Sequence, residues 1–221
     1  NEIADILPQH LLMLKLCSQA LADAGISLGQ NQPRMGVMVG ADFDYSATNF
    51  HLRWQITQSV RDWEKKYPHR MRKLNRSDWF DALKDAISRP LTANRTLGAL
   101  TGVIASRIAK AFLLGGPSLV VSCEEAGGLK ALELAVRSLQ KQETDTMVVG
   151  GVDFCGDPRK LALNQHNRSH QNESEIHPFD ISAKGTLPGE GGVALVLKRL
   201  ADAVADHDRI YALVSGMGAA S

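Results

Sequence analysis

Short apolar strands alternating with helices predict an α/β layered fold with a mostly parallel sheet flanked by helices. Three observations carry that expectation. An amphipathic helical stretch over 8–24 leads to a β-branched strand, Met35–Gly40. A second apolar run, Leu119–Ser122, climbs into a sharp turn, and a helix over Ala126–Gln140 opens directly after it. A third strand, Thr146–Asp153, is near-continuously apolar, as one buried on both faces has to be.

Each element has its own sequence logic. In 8–24, Met13, Leu16, Cys17, Ala20 and Ala24 form a stripe at helical spacing, Leu12 and Leu21 widen it, and Gly25 supplies the stop. Length and β-branched content mark Met35–Gly40 as a short buried strand. From Phe50 to about Leu83 the chain reads as polar and helical. There a basic cluster (Arg61, Lys65, Lys66, Arg70, Arg72, Lys73) is interleaved with Trp54, Trp63, Tyr67 and Trp79. Leu97–Phe112 is expected as one buried helix, rich in small and aliphatic residues. After Asp153, the polar stretch Asn164–Glu175 predicts an exposed loop. Gly191–Leu200 and Ile210–Ser215 predict two strands separated by a helical turn over Ala201–Asp206.

Composition narrows the function classes. The 221 residues are 44% hydrophobic and 22% charged, enough for a core and one or two domains of a soluble globular protein. Basic and acidic residues number 25 and 24, so no global field recruits nucleic acid or a membrane surface. The basic, Trp-bearing stretch 61–79 therefore reads as a solvated amphipathic face rather than a nucleic-acid or carrier-protein site. No apolar run is long enough for a membrane span or a signal peptide. Cys17, Cys123 and Cys155 have no C-x-x-C spacing and leave one thiol over, which suits a reducing cytosol and a cytoplasmic protein. The N-x-Ser/Thr triplets headed by Asn75, Asn94, Asn167 and Asn172 are then chance. The chain begins on Asn1 rather than Met, and a piece of a longer protein is expected.

The chemistry concentrates at the elbow, Ser122-Cys123-Glu124-Glu125-Ala126-Gly127-Gly128. The first N–H groups of a helix lack intrahelical partners and favour negative charge, which suits a nucleophile or a bound anion. Ser122-x-x-Glu125 also has the form of a capping box, with Ser122 capping the first turn and Glu125 reaching back to the Ser122 N–H. A carboxylate in that turn complements the helix dipole by about 0.3–1 kcal/mol. The residues thus favour a structural or gatekeeping Glu125 over a catalytic one. For Cys123, the helix terminus lowers a thiol pKa while two adjacent carboxylates raise it, and a strand-end cysteine is ordinarily a small buried hydrophobe. His166-x-x-x-His170 has metal-ligand spacing but sits in a polar stretch without periodicity, so loop histidines are expected and no metal. Gly189, Gly191 and Gly192 lack the Gly-Lys-Ser/Thr of a phosphate loop.

Several ordered segments together resemble β-ketoacyl synthases. They are Ala22–Gly25, Thr92–Thr96, Ala105–Ser118, Asp145–Asp153, His177–Gly185, Pro188–Gly192 and Val196–Leu200, whereas 43–90 matches poorly. The resemblance implies a thiolase-like fold of two pseudo-symmetric halves, of which 1–221 is the N-terminal half without its mid-sheet first strand. It also implies that the C-terminal half brings the two histidines of the condensing chemistry. Asp145–Asp153 resembles the family's strand and Gly-Gly turn. The family's cysteine nucleophile falls seven residues after the Ser of Gly-Pro-Ser, which is Glu125 here, and Cys123 lies two residues early. A carboxylate cannot hold an acyl group as a productive thioester.

The Ser-Cys-Glu-Glu-Ala-Gly-Gly wording looks most like the chain-length-factor domain of polyunsaturated fatty acid synthases. The resemblance then implies a nucleophile-less partner that forms a heterodimer with an active ketosynthase and shapes its acyl tunnel, using Leu97–Phe112 and the segment after Asp42. Leu119, Val120, Val121 and Ser122 match the family's edge strand, which pairs across the dimer. No resident cofactor is implied; the phosphopantetheine thioester of an acyl carrier protein is the substrate of the complex. Two alternatives stay open: a decarboxylase of malonyl-carrier protein, and a condensing acyltransferase using Cys123.

Overall fold

The computed structural model describes residues 2–71, 76–167, 181, 185 and 187–218. Arg72, Lys73, His170, Asn172 and most of the His177–Gly185 segment lie outside them. The chain divides into two compact units, 1–7 with 44–99, and 8–43 with 100–221.

The larger unit is a mixed sheet between helices. Its strands are β1 (Met35–Ala41), β2 (Ser118–Val121), β3 (Thr146–Asp153) and β4 (Gly191–Lys198), in the order β2-β1-β3-β4. β1 pairs in parallel with both β2 and β3, and β4 closes the other side antiparallel to β3. β1 is buried along its whole length, which its Met, Val and Gly residues allow, and β3 is buried except near its ends.

One face of the sheet is covered by α1 (Pro8–Asp23) and α6 (Ile104–Phe112). Met13, Cys17 and Leu21 of α1 and Ile104 and Ile108 of α6 meet Val37, Val39 and Val148 there. Burying apolar surface of this kind contributes roughly 25 cal/mol per Å². On the other face, Ala131, Ala135 and Leu139 of α7 (Gly127–Gln140) pack on Met38, Met147 and Val149. Small residues on that face of α7 let the helix lie close to the sheet.

The smaller unit is helical: α2 (Asn49–Lys66), α3 (Pro68–Met71), α4 (Arg76–Ile87) and α5 (Ala93–Gly98). Arg53 of α2 pairs with Asp85 of α4, and its Nη1 also donates to the Ser88 carbonyl at 2.8 Å. Thr92 caps α5 by accepting from the Arg95 N–H at 3.3 Å.

Four sequence expectations change. Leu97–Phe112 is not one helix. α5 ends at Gly98, Leu100 is extended, and a 3₁₀ turn over Thr101–Val103 precedes α6. A Cβ on Gly98 would lie 2.2 Å from the Asp5 carbonyl oxygen, so glycine lets that backbone approach. Leu97 and Leu100 are exposed rather than buried. Asn164–Asn167 is no loop but the last turn of α8 (Pro158–Asn167). Pro158 presets its first turn, and the Asp157 carboxylate accepts from the Arg159 N–H at 2.8 Å.

Gly150 and Gly151 form no turn; both lie within β3. A Cβ on Gly150 would meet the Met13 Cε at 2.3 Å, so the missing side chain admits α1. Finally, Ile210–Ser215 is not a strand, and Ile210, Tyr211, Leu213 and Val214 are exposed. A β-branched run becomes a strand only beside a neighbour that takes its N–H and C=O groups. Here the stretch is tied by side chains instead, with the Tyr211 hydroxyl donating to Asp23 at 2.9 Å.

Candidate functional site

The C-terminal ends of β1, β2 and β3 point the same way, and the elbow stands there. In sheets of this kind, sites form at that edge because helix N-termini converge on it. Glycines set the spacing. A Cβ on Gly40, next to the end of β1, would lie 2.3 Å from the Gly127 carbonyl carbon and 2.3 Å from the Gly128 nitrogen. A Cβ on Gly151 would lie 3.4 Å from the Gly128 Cα. Backbone therefore touches backbone where α7 begins, and its first turn sits directly over β1 and β3.

The elbow does not use its capping box. Ser122 lies one residue ahead of the N-cap, which is Cys123, and no side chain caps the 3₁₀ turn over Glu124–Ala126. The Ser122 hydroxyl donates to Asp42 Oδ1 at 3.3 Å, and the Phe43 N–H donates to the same oxygen at 2.8 Å. Behind them the buried Gln9 donates through Nε2 to Thr101 Oγ1 at 3.4 Å, and Thr101 Oγ1 lies 3.5 Å from the Asp42 carbonyl oxygen. Asp42 thus draws off the hydroxyl that would have capped the helix.

Glu124 adopts the left-handed region, with φ of 44°. Few non-glycine residues do, and the strain of holding one there is of order 1–3 kcal/mol. This twist carries the chain from β2 into the helix within three residues, Cys123 to Glu125. Cys123, Glu124 and Glu125 are all exposed, so the thiol is not the buried hydrophobe expected of a strand end. Both carboxylates occupy the first turn, where they complement the helix dipole. Chemically the site offers one accessible thiol and two accessible carboxylates, with no histidine in the elbow itself.

Of the candidate interface residues, Leu119, Val120 and Val121 lie in β2, and Ser122 follows it. β2 is at the sheet edge, and Leu119 is 49% exposed. On the opposite side of the site, the Glu190 carboxylate accepts from the Gly156 N–H at 2.6 Å, joining the entry to β4 with the exit from β3. A Cβ on Gly192 would lie 2.9 Å from Leu16 Cδ1 and 3.2 Å from the Gly151 carbonyl oxygen, so the missing side chain eases the approach of α1. His166 lies in the last turn of α8, and no metal-competent cluster of three or more His, Cys, Asp or Glu exists among the described residues.

Sequence reasoning missed Asp42, Thr101 and Gln9 as supports of the elbow. An aspartate directly after an apolar strand is a turn signal and marks Asp42 alone. No local signal marks the other two.

Comparison with known proteins gives the site its context. Residues 1–203 match the family described as "Beta-ketoacyl synthase, N-terminal domain". The chain is 32% identical over 219 residues to a mycocerosic acid synthase-like polyketide synthase of Mycobacterium tuberculosis, covering 99% of this chain and 9% of the relative. A phthioceranic/hydroxyphthioceranic acid synthase of the same organism is 38% identical over 123 residues, covering 56% of this chain and 6% of the relative. The chain thus spans about a tenth or less of the length of these relatives.

Among solved structures, the ketosynthase from module 6 of the bacillaene synthase of Bacillus subtilis is similar at TM-score 0.59 and 26% identity, covering 93% of this chain and 29% of that one. A PfaC keto synthase-chain length factor is similar in fold, at TM-score 0.68 and 23% identity, covering 87% of this chain and 20% of that one.

Proposed function

The chain belongs to the β-ketoacyl synthase family, and from that premise we propose a nucleophile-less, chain-length-factor-like half. Its partner is an active ketosynthase, in polyunsaturated fatty acid or polyketide biosynthesis. One observation carries the reading. Glu125, seven residues after Ser118 where the family has its cysteine, sits inside the first turn before α7. A carboxylate there cannot carry an acyl thioester, and it would repel the anion that a condensing site must stabilise.

The edge position of β2 supports Leu119, Val120, Val121 and Ser122 as the seam with the partner, since a free edge offers unpaired backbone groups to another strand. The apolar run Ile210–Ser215, which lies outside any strand, supports a half-domain that a further part of the fold completes. Substrate reaches the pair as the phosphopantetheine thioester of an acyl carrier protein, with no resident cofactor. Three free thiols, Cys123 exposed among them, support a reducing, cytoplasmic setting. Among the described residues no helix is long and apolar enough to cross a membrane.

Titrating the full-length domain against its ketosynthase tests the reading, with a stoichiometric heterodimer expected. Monomer alone, or an unaided homodimer alone, would sink it. A decarboxylase of malonyl-carrier protein predicts carbon dioxide release that rises in Glu125→Gln.

The exposure of Cys123 favours a second reading, condensation through that thiol two residues out of register. Native protein with iodoacetamide discriminates the two. Labelling of Cys123 that an acyl thioester blocks, together with an acyl adduct on Cys123 in the mass spectrum, supports the second reading. Unprotected labelling supports the first.

A further inference from the structure

Ser122 has two bonding schemes open to it, and they exclude one another. Its place three residues before Glu125 fits it to cap the helix, yet its hydroxyl donates to Asp42 Oδ1 at 3.3 Å instead. A capping Ser122 would itself be the N-cap, whereas the observed N-cap is Cys123. The schemes also differ at Glu124. As the second residue of a helix begun at Ser122 it would have ordinary helical angles, but with Ser122 on Asp42 its φ is 44°.

Asp42 is the anchored member of the pair. The Phe43 N–H donates to the same Oδ1 at 2.8 Å. The Asp42 carbonyl oxygen lies 3.5 Å from Thr101 Oγ1, which accepts from the buried Gln9 of α1 at 3.4 Å. On the other side, α7 is held where the Gly127 and Gly128 backbone meets Gly40 and Gly151. That leaves 122–126 as the span that can change without moving either anchor. The opposing contributions are of one order. A hydrogen bond to a carboxylate favours the observed arrangement, while a serine cap and the relief of a left-handed Glu124 favour the other.

We propose that Asp42 is the positioning residue of the elbow: by keeping Ser122 off the helix it holds 122–126 uncapped, and without it Ser122 caps the helix and moves Cys123 from the N-cap into the first turn. The exposed thiol reports the difference. A side chain at the N-cap faces the first N–H groups, which favour the thiolate that an alkylating agent attacks. In the capped arrangement the Ser122 hydroxyl takes one of those groups, and the Glu125 carboxylate folds back to the Ser122 N–H. Cys123 then reacts more slowly. This holds whichever residue of the elbow does chemistry, and it needs no partner.

Iodoacetamide kinetics on the full chain at neutral pH test the proposal, with peptide mass spectrometry following Cys123 apart from the buried Cys17 and Cys155. Asp42→Ala should slow alkylation of Cys123 about threefold or more. Adding Ser122→Ala to Asp42→Ala removes the cap and should restore the native rate, whereas Ser122→Ala alone should leave that rate as it is. Asp42→Asn, whose Oδ1 still accepts from Ser122 and Phe43, should react like the native protein. Mere loosening of the turn would instead speed alkylation in Asp42→Ala. Circular dichroism checks that each variant is folded, and Asp42→Gly, suited to a turn, replaces Asp42→Ala if that variant is not. The proposal is overturned if removing the carboxylate leaves the rate unchanged or raises it, or if Asp42→Asn is as slow as Asp42→Ala. It is also overturned if Ser122→Ala fails to restore the rate, or raises it equally in the native background.

Discussion

Asp145 stands between two guanidinium groups, with Arg34 Nε at 2.6 Å and Arg199 Nη2 at 2.8 Å. Their hydrogen bonds hold its carboxyl at about 2, well below the usual carboxylate range. The unfolded chain takes up the proton near the ordinary value of 3.8, so between 3.8 and about 2 it binds more protons than the native protein. The stabilisation is therefore complete above about pH 4 and fades as pH falls toward 2. Asp145→Asn should flatten that part of the acid limb in urea midpoints, and only modestly, because the carboxylate is half exposed. An unchanged acid limb would mean that other carboxylates set it. Gly40 acts through shape instead. A methyl group there meets backbone of Gly127 and Gly128, which cannot rotate away as a side chain would. Gly40→Ala should cost about 1–3 kcal/mol, and urea unfolding measures it. A cost near zero would show that α7 shifts freely over β1, contrary to a rigid elbow.

Elements differ in how far the sequence discloses them. α1 and β3 are legible because burial imposes a period or a continuous apolar run, and both end within a residue of expectation. The break at Leu100 is not, since Leu97-Gly-Ala-Leu100 continues an apolar pattern and only the close approach of Gly98 to Asp5 shows why the helix stops. Ile210–Ser215 has the composition of a strand, but pairing is a non-local property that composition does not carry. The elbow was legible in residue type and not in bonding, because the Ser122–Asp42 hydrogen bond joins residues 80 apart. β2 tests what an edge strand is for. Its seam role predicts that Leu119→Lys prevents heterodimer formation in sedimentation, while secondary structure by circular dichroism stays unchanged. A lysine on an edge strand discourages a second strand from pairing, and the side chain is already half in solvent. Undiminished heterodimer would move the seam elsewhere.

At the scale of the whole molecule, the two units are held together internally by different means. The larger unit has contiguous apolar clusters on both faces of its sheet, with Met13, Cys17, Val37, Val39, Ile108 and Val148 fully buried. The helical unit has among its described residues only Val60 as a buried large hydrophobe, and its other buried residues are Ser88 and Gly98. Its helices rely on ion pairs such as Arg53–Asp85 and Lys84–Asp81, whose carboxylates are more than half exposed. Pairs of that kind contribute about 0–1 kcal/mol each, whereas a buried Leu or Val side chain contributes roughly 1.5–3. Opening the helical unit therefore exposes little apolar surface and loses little free energy, so it need not wait for the sheet to unfold. Native-state hydrogen exchange should find α2 and α4 amides opening well before those of β1 and β3. Added salt should widen the gap, since it screens the exposed pairs and leaves burial intact. Equal protection across both units, unaffected by salt, would mean that the chain unfolds as one cooperative body.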